Sequence, residues 1–462
     1  MKAQNARGTR DFSPAEVKKR SYIIDTIKKQ YELYGYLPIE TPAIEKLSTL
    51  TGKYGEEGDQ LLFKILNSRL HESKNKEVLR EEFNKMLEKP YHSEYITERA
   101  LRYDLTVPFA RYVSQYRHQI TFPFKRYQIQ PVWRADKPQK GRYREFVQCD
   151  ADAIGTNSLL MEIELIQLIQ NVFVDLKLPV ILKINNRKIL SGIIDYIGAN
   201  DKFVEIVTLI DKLDKAEADV IKDEMQMIGL SEHQIEKIFD ILSLKKDNFE
   251  ILERLRSIDN SILQKGIDEI YYVLNFYRQN LSGIEQKNFE LKLDITLARG
   301  LNYYTGIIFE AKANAGNFQP SILGGGRYDD LTGIFDLPNV SGVGISFGID
   351  RIYDVMEEAG LFPSYLNNIS PAKILLIYME ETYLPYVFEI AHQLRQSDIS
   401  VEIYHQKDKL KKCFDYAHKK SFPYVGIVGE SEASQRMVAL KNMQSGEQQT
   451  LSLQQIIQTL NT

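Results

Sequence analysis

Two strand-forming runs joined by a basic loop constrain the fold of this 462-residue chain more than any other feature. The runs PFKRYQIQPVW, at 123–133, and EFVQCDADAIG, at 145–155, are rich in aromatic and β-branched residues, which favour strands. The segment between them, RADKPQKGRYR, contains Pro138 and Gly141, which interrupt regular structure. We therefore predict two strands joined by a long loop and followed by a helix at about 158–176.

This strand pair is positively charged within an acidic chain. The chain has 59 Lys and Arg against 63 Asp and Glu, a net charge of −4, so any nucleic-acid site must be a local patch. Between Phe124 and Phe146 there are seven basic and two acidic residues, a net charge of +5. The arginines of the segment are Arg126, Arg134, Arg142 and Arg144. Guanidinium groups pair with phosphate oxygens, so the segment is either a nucleoside triphosphate site or a solvated basic hairpin.

The second strand also has a polar face. Successive side chains of a strand point to opposite sides, so Gln148, Asp150 and Asp152 share one face. Burying an amide and two carboxylates is costly unless they bind something cationic or polar. The face is therefore either part of a binding site or a solvent-facing edge.

The rest of the chain divides into recognisable segments. The sequence SPAE at 13–16 has the form of a capping box, and the helix that it opens ends near Gly35. Ten of the 20 residues at 71–90 are charged, which predicts a solvated helix in an inserted loop. Charged, helix-period sequence at 188–285 predicts a helical insertion. After a boundary near 362–372, strand and helix patterns alternate, which predicts a small α/β domain with a mainly parallel sheet.

Several function classes are disfavoured by what the sequence lacks. Only two cysteines occur, Cys149 and Cys413, and no histidine pattern suits zinc, so we expect neither a disulfide scaffold nor a zinc site. There is no P-loop, and the GISFG sequence places Ser346 within an alternating strand instead of on the sharp turn of a serine hydrolase. Without an apolar run long enough to span a membrane or an apolar signal core, the expectation is a soluble cytoplasmic protein.

Two further arginines support a phosphate site. Arg351 lies about one turn into the helix that follows Gly348, and Arg299 lies in LARGLNYYTG. Either arginine alone would be a weak signal, because an arginine after a strand is usually a surface charge. Asp104 and Thr106, in LRYDLT, add a polar pair elsewhere in the chain.

Together these segments resemble the histidyl-tRNA synthetase family of class II aminoacyl-tRNA synthetases. RGTRDFSP and GYLPIETPAIE look like motif 1, the segment 124–155 looks like motif 2, and GVGISFGIDRI looks like motif 3. LARGLNYYTG and GGGRYDDL are similar to segments particular to the histidine enzymes. VGESEASQRMVALKNMQSGEQ resembles part of that family's anticodon-binding domain.

The resemblance implies an α+β fold in which helices flank an antiparallel sheet. It implies a catalytic core at 1–187 and 286–362, a helical insertion domain at 188–285 and an α/β anticodon-binding domain at 371–462. Motif 1 implies a homodimer.

The resemblance also implies a reaction. L-Histidine and ATP with Mg²⁺ would form histidyl-adenylate and pyrophosphate, and the histidyl group would then pass to tRNA(His), with no zinc or organic cofactor. Arg134 would contact the α-phosphate and the substrate carboxylate, while Arg351 would hold the γ-phosphate. Arg142 would reach the phosphates, and Arg299 would contact the α-phosphate side in place of a metal.

Family positions also assign the substrate contacts. Those implied for the α-amino group are Asp104, Thr106 and Gln148, and those for the imidazole nitrogens are Asp152 and Tyr304. Tyr303 and Tyr328 would belong to the same pocket. Gln139 and Lys140 are candidates for contact with the tRNA acceptor end. At 407–420, six lysines against two aspartates form either a tRNA contact or a solvated helix face.

Three residues depart from the family pattern. Asn302 stands where aspartate is more usual, and Asp104 and Asp152 stand where many bacterial relatives carry glutamate. Two alternatives share the fold: a regulatory subunit that partners ATP phosphoribosyltransferase, and a sensor of uncharged tRNA. The four arginines assigned to catalysis and the C-terminal domain are present, which disfavours the regulatory subunit, and the intact substrate pocket disfavours the sensor.

Overall fold

The computed structural model describes residues 3–53, 55–89, 91–213, 216–244, 247–281, 288–298, 304–316, 320–367 and 370–461. Their contacts form two compact units, residues 1–12 with 19–362 and residues 13–18 with 363–462. The helical segment at 188–285 belongs to the first unit, and the predicted domain boundaries remain a prediction.

The first unit contains a large sheet, a small sheet and helices. Its strands are β1 (Leu37–Pro38), β2 (Ile44–Lys46), β3 (Lys64–Ile65), β4 (Arg99–Leu101), β5 (Phe124–Trp133), β6 (Glu145–Ile154), β7 (Val180–Asn186), β8 (Phe289–Leu293), β9 (Ile307–Ala313), β10 (Ser321–Tyr328) and β11 (Gly342–Gly348). Its helices are α1 (Pro14–Leu33, whose first turn groups with the second unit), α2 (Leu47–Leu50), α3 (Gly55–Gln60), α4 (Lys76–Glu88), α5 (Thr106–Gln115), α6 (Leu160–Asp175), α7 (Arg187–Tyr196), α8 (Phe203–Lys212), α9 (Ala218–Met227), α10 (Glu232–Leu242), α11 (Asn248–Arg256), α12 (Ser261–Asn280) and α13 (Ile349–Glu358).

The large sheet has the strand order β1-β5-β6-β11-β10-β9-β7-β8. The six inner strands pair antiparallel, as expected, and each edge strand adds a parallel pair. The strand at Leu37–Pro38 lies at an edge, where proline's missing N–H is tolerated. Because β6 lies between β5 and β11, the interpretation of its polar face as a solvent-facing edge is wrong.

One face of this sheet packs on helices. Cys149, Ala151 and Ala153 of β6 join residues of α1 and α6 in the main hydrophobic core. The Tyr31 hydroxyl of α1 donates to the Cys149 carbonyl at 2.7 Å, and the ring of Phe173 in α6 contacts that of Phe347 in β11. The alternate residues of β6 therefore point to the opposite face, where the polar side chains lie.

The local signals for α1 and α4 are confirmed. The Ser13 N–H donates to Glu16 Oε2 at 2.7 Å, which is one bond of the predicted capping box. Gly35, with φ of +75°, follows the end of the helix in the left-handed conformation that glycine tolerates. Helix α4 forms within the charged segment, and most of its side chains are exposed.

The second unit is a five-stranded sheet with helices. Its strands are β12 (Ile374–Tyr378), β13 (Val401–Ile403), β14 (Tyr424–Val428), β15 (Met437–Asn442) and β16 (Gln448–Ser452). Its helices are α14 (Leu384–Gln396), α15 (Leu410–Lys419), α16 (Glu430–Gln435) and α17 (Leu453–Asn461).

The order of this sheet is β13-β12-β14-β15-β16, and it is less parallel than predicted. Strand β12 pairs parallel with β13 and β14, whereas β14, β15 and β16 pair antiparallel. A short turn containing Gly446 joins β15 to β16, and so short a connection can only join antiparallel strands.

Candidate active site

A cavity of about 520 Å³ opens on the face of the large sheet opposite α1 and α6. It brings together residues that are far apart in the chain and come from the loop before α5, the β5–β6 pair, β9 to β11 and α13. The predicted site residues that line it are Asp104, Thr106, Arg134, Arg142, Gln148, Tyr304 and Arg351.

Two arginines form a cationic wall of this cavity. Arg134 follows β5 directly; its Nε donates to the Tyr103 carbonyl at 3.1 Å, and its guanidinium lies 4.1 Å from the centre of the Tyr103 ring. Arg351, in the first turn of α13, donates from Nε to the Gly141 carbonyl at 2.9 Å and from Nη1 to the Ser321 carbonyl at 2.8 Å. Backbone carbonyls thus hold both guanidinium groups in place at the cavity wall.

Arg142 is different because it is exposed. Its Nε lies 3.5 Å from Asp136 Oδ1 in the loop between β5 and β6. Because the Arg142 side chain is more than half exposed, water screens this contact and it contributes little to stability.

A second, narrower cavity of about 20 Å³ adjoins these residues. It is lined by Thr106, Asp150, Asp152, Tyr304, Gly324, Gly325, Tyr328, Gly344, Ile345 and Ser346. Small residues leave the space: a Cβ on Gly344 would stand 2.0 Å from Asp152 Oδ1, so any side chain there would displace the carboxylate.

Asp152 is held from two sides in this narrow cavity. Arg126 Nη2 lies 2.7 Å from Asp152 Oδ2, and the Tyr328 hydroxyl donates to Asp152 Oδ1 at 2.7 Å. Burial raises the pKa of Asp152, and the neighbouring Arg126 and Tyr328 oppose that rise. A buried ion pair needs such additional hydrogen bonds to offset its loss of hydration. These contacts give the narrow cavity one end that is polar and fixed in position.

Several polar side chains from the start of α5 and from β6 lie near the narrow cavity. Asp104 is buried, and its Oδ1 accepts a hydrogen bond from the Val107 N–H at 3.1 Å in the first turn of α5. Thr106 is the first residue of that helix and lines both cavities. Gln148 Nε2 donates to Ser346 Oγ at 2.8 Å. Carboxylate, hydroxyl and amide oxygens placed together suit an ammonium group.

Comparison with known proteins identifies the family. The family model of histidyl-tRNA synthetase matches residues 97–352, and the anticodon binding domain model matches residues 373–462. The chain is 50% identical to histidine–tRNA ligase of Bacteroides fragilis (strain YCH46) over 98% of each chain. It is 48% identical to histidine–tRNA ligase of Cytophaga hutchinsonii, again over 98% of each chain.

The chain belongs to the histidyl-tRNA synthetase family.

A solved structure supports the same conclusion. The histidyl-tRNA synthetase from Nostoc sp. PCC 7120 superposes with a TM-score of 0.80 at 28% identity, covering 100% of this chain and 99% of that chain. The α+β fold and the C-terminal α/β unit are those of this family of class II synthetases.

Some residues implied by the family are not part of the cavity wall. Gln139 forms an isolated bridge with Arg142, and Lys140 Nζ lies 2.7 Å from Glu358 Oε2. Arg299, Asn302 and Tyr303 lie outside the described residues, so the family positions at LARGLNYYTG stay predictions.

Three residues to which the sequence assigned no role belong to the narrow cavity and its surroundings, and one of them, Asp150, was already predicted on the polar face of β6. Asp150 and Ser346 line it, and Arg126 pairs with Asp152 behind it. The sequence carried a signal for two of them, because Arg126 and Asp150 are charged residues inside strands that are otherwise rich in apolar and aromatic residues. Their contacts depend on strand register, which pairs Arg126 with Asp152 across β5 and β6 and Ser346 with Asp150 across β6 and β11.

Two other buried carboxylates were not predicted from the sequence. Glu310 of β9 is buried and lines the large cavity. Asp350 of α13 is buried beside Arg351 and pairs with Arg10 and Arg20. Asp350 thus ties the N-terminal segment to the start of α13, although 330 residues or more separate these partners in the chain.

The described residues offer neither a metal site nor a membrane-spanning helix. In the described part of the chain, no group of three or more His, Cys, Asp or Glu side chains is arranged to hold a metal ion. None of the described helices combines the length and the apolar composition needed to cross a bilayer.

Proposed function

We propose that this chain activates L-histidine with ATP to form histidyl-adenylate and pyrophosphate, and then transfers the histidyl group to tRNA(His). One observation supports the proposal most directly: arginines suited to phosphates and a buried polar pocket suited to histidine share a continuous cavity wall. Mg²⁺ enters with ATP as part of the substrate.

Activation requires charge stabilisation more than proton transfer. The histidine carboxylate attacks the α-phosphate in line, and negative charge develops on the phosphate oxygens. We assign Arg134 to the α-phosphate and the substrate carboxylate, and Arg351 to the γ-phosphate. Their fixed positions support this assignment, since preorganised cations stabilise developing charge without reorganising during the reaction. Arg142 and Arg299 would complete the set of phosphate contacts.

Histidine selection follows from the narrow cavity. We propose that Asp104, Thr106 and Gln148 bind the α-ammonium group, and that Asp152 and Tyr304 bind the two imidazole nitrogens. Tyr328, which donates to Asp152, and Tyr303 belong to the same pocket. A pocket built from buried polar groups rejects apolar isosteres, because those groups would lose their hydrogen-bond partners.

The tRNA would be held at two places. We propose that Gln139 and Lys140, in the loop after β5, contact the acceptor end. In the second unit, all six lysines of the segment 407–420 are exposed, which suits contact with backbone phosphates. These lysines are Lys407, Lys409, Lys411, Lys412, Lys419 and Lys420.

Two further properties follow from membership of the family. We propose that two copies associate through the motif 1 segments at 7–14 and 35–45, which sedimentation equilibrium would test. We also propose that the enzyme works in the cytoplasm, where ribosomes consume its product.

The decisive test is histidine-dependent ATP–pyrophosphate exchange. We expect exchange that requires histidine and falls at least 100-fold in Arg351→Ala, the size of effect seen when one preorganised donor is removed. Arg117→Ala is the matched control, because Arg117 is an exposed arginine outside the cavity. A folded protein that binds ATP without exchange would instead be a regulatory or tRNA-sensing relative.

A further inference from the structure

Ser346 lines both cavities, but the proposed function assigns no role to it. It lies in β11, and the register pairs it with Asp150 of β6 on one side and with Gly324 of β10 on the other. Its Oγ accepts a hydrogen bond from Gln148 Nε2 at 2.8 Å. Ser346 therefore stands between an amide assigned to the substrate and a carboxylate without an assigned role.

That carboxylate is buried and lies directly opposite Ser346 in the paired strands β6 and β11. Asp150 is 2% exposed, and burial raises its pKa to about 7. The charge of Arg126 lowers the pKa and that of Asp152 raises it, while a hydrogen bond from the Ser346 side chain lowers it. A hydroxyl has one proton to donate. When Ser346 donates that proton to the ionised Asp150, its oxygen can only accept from the Gln148 amide.

The hydrogen bond to Ser346 decides which end of the Gln148 amide faces the cavity. With Nε2 bonded to Ser346, Oε1 is the other end of the planar amide. Among the residues that the structure describes, Gln148 Oε1 is buried and has no hydrogen-bond partner. An ammonium group has only donors and thus needs the amide oxygen. The reversed amide would present its NH₂ group and would oppose the ammonium charge.

We propose that Asp150 and Ser346 are positioning residues that hold the Gln148 amide with its oxygen toward the α-ammonium group of histidine. The inference rests on the proposed function and deepens it, because it explains how the pocket recognises the amino end of its substrate. Neither residue needs to touch histidine for this role.

The test compares two ligands that differ at the α-amino group. L-Histidine carries it, whereas 3-(imidazol-4-yl)propionate lacks it and retains the imidazole and the carboxylate. In Ser346→Ala and in Asp150→Ala, we expect the KM for histidine in pyrophosphate exchange to rise about 10-fold, the effect of about one lost hydrogen bond. The inhibition constant of imidazolylpropionate should change less than about two-fold, and the KM for ATP should not change.

Two further variants control for changes in the strands themselves. Ser346→Thr retains the hydroxyl and should keep a wild-type KM for histidine; a Cβ at the neighbouring Gly324 would meet no atom within 4 Å, so there is room beside this position. Cys149→Ala changes the opposite face of β6, outside the cavity, and should leave both ligands unaffected.

The outcomes separate the inference from the function on which it rests. An equal loss of affinity for both ligands, or no loss for either, would overturn the positioning role. Should Asp150→Ala fail to fold, the comparison in Ser346→Ala decides alone. Absence of histidine-dependent exchange in the wild-type protein would contradict the proposed function instead.

Discussion

The two larger sheets of this protein bury different chemistry. Among the described residues, every buried polar or charged side chain belongs to the first unit, and Arg126, Asp150 and Glu310 lie within its large sheet. Among the described residues, the buried side chains at the sheet of the second unit are aliphatic, tyrosine, phenylalanine or cysteine, such as Ile374 and Leu376. A site that activates a small substrate needs charges in a dry, fixed setting, whereas a sheet that supports an exposed surface needs only an apolar core.

The two units also differ in the surroundings of the basic residues that we assign to phosphate binding. Arg134 and Arg351 are held by backbone carbonyls within a cavity, where electrostatic effects are strong. The lysines of the segment 407–420 are exposed, where salt screens their charge. We therefore expect substitution of the cavity arginines to change chemistry and charge reversal on the second unit to change tRNA affinity.

The largest expected effect is on the chemical step. Arg134→Ala should lower kcat/KM for pyrophosphate exchange on the order of 1000-fold, or about 4 kcal/mol, because a fixed cation is lost from the developing charge. Steady-state exchange rates measure it. Arg395→Ala, an exposed arginine of the second unit, is the control. A loss below about ten-fold would show that Arg134 does not contact the reacting phosphate.

A core substitution in the second sheet should act on stability instead. Leu376→Ala removes a fully buried side chain from β12 and should destabilise this unit by about 3 kcal/mol, the usual effect of such a cavity. Hydrogen–deuterium exchange of the peptide Ile374–Tyr378 measures the loss of protection. Leu182→Ala, equally buried in β7 of the large sheet, is the matched variant and should expose its own strand. Unchanged protection at Ile374–Tyr378 would contradict an apolar core as the source of stability there.

Reversing charge on the second unit should affect only the tRNA step. Lys411→Glu combined with Lys412→Glu should lower kcat/KM for aminoacylation about ten-fold at low salt, with a smaller loss as salt increases. Pyrophosphate exchange should stay at the wild-type rate. Lys74→Glu with Lys76→Glu makes the same charge change on an exposed segment without an assigned role. If this control pair causes the same loss, the effect is net charge and not a local contact.

The smallest expected effect is on the free energy of unfolding, which burial of the Asp150 carboxylate lowers. Because burial raises the pKa of Asp150 to about 7, the folded state keeps this proton more tightly than the unfolded state does. The stability due to this group is thus fully present below pH 3.8 and is lost as pH rises from there to about 7. Asp150→Asn should raise the unfolding free energy by about 1 kcal/mol at pH 8 and by less at pH 5.

Thermal unfolding at the two pH values checks this prediction. Asp25→Asn, on the exposed side of α1, provides the control for the substitution itself. A gain that is larger at pH 5 than at pH 8 would reverse the sign and show that the ionised form of Asp150 stabilises the fold.

Much of the fold could be predicted because its signals are local. Alternation and composition predicted the two strands at 124–155, and a capping pattern predicted the start of α1 at Pro14. The antiparallel pair β15–β16 was missed, since the short run Gln448–Ser452 is polar and carries no strand signal of its own. Its pairing with β15 after a tight turn decides its conformation.

The candidate site divides in the same way. Arg134, Arg351 and the polar face of β6 were found from residue type, spacing and resemblance. Arg126 and Ser346 were not assigned, because their roles arise only when neighbouring strands bring them against Asp152 and Asp150.

By itself, the sequence determined the element types, the acid, amide and arginine residues available for catalysis, and membership of the family. Tertiary structure alone decided that β6 is a central strand, that its polar face closes a cavity, and which partner each charge there receives. The physical reason is range: secondary structure depends on residues a few positions apart. Burial, and with it the pKa of Asp150 and the orientation of Gln148, depends on strands that are about 200 residues away in the chain and adjacent only after folding.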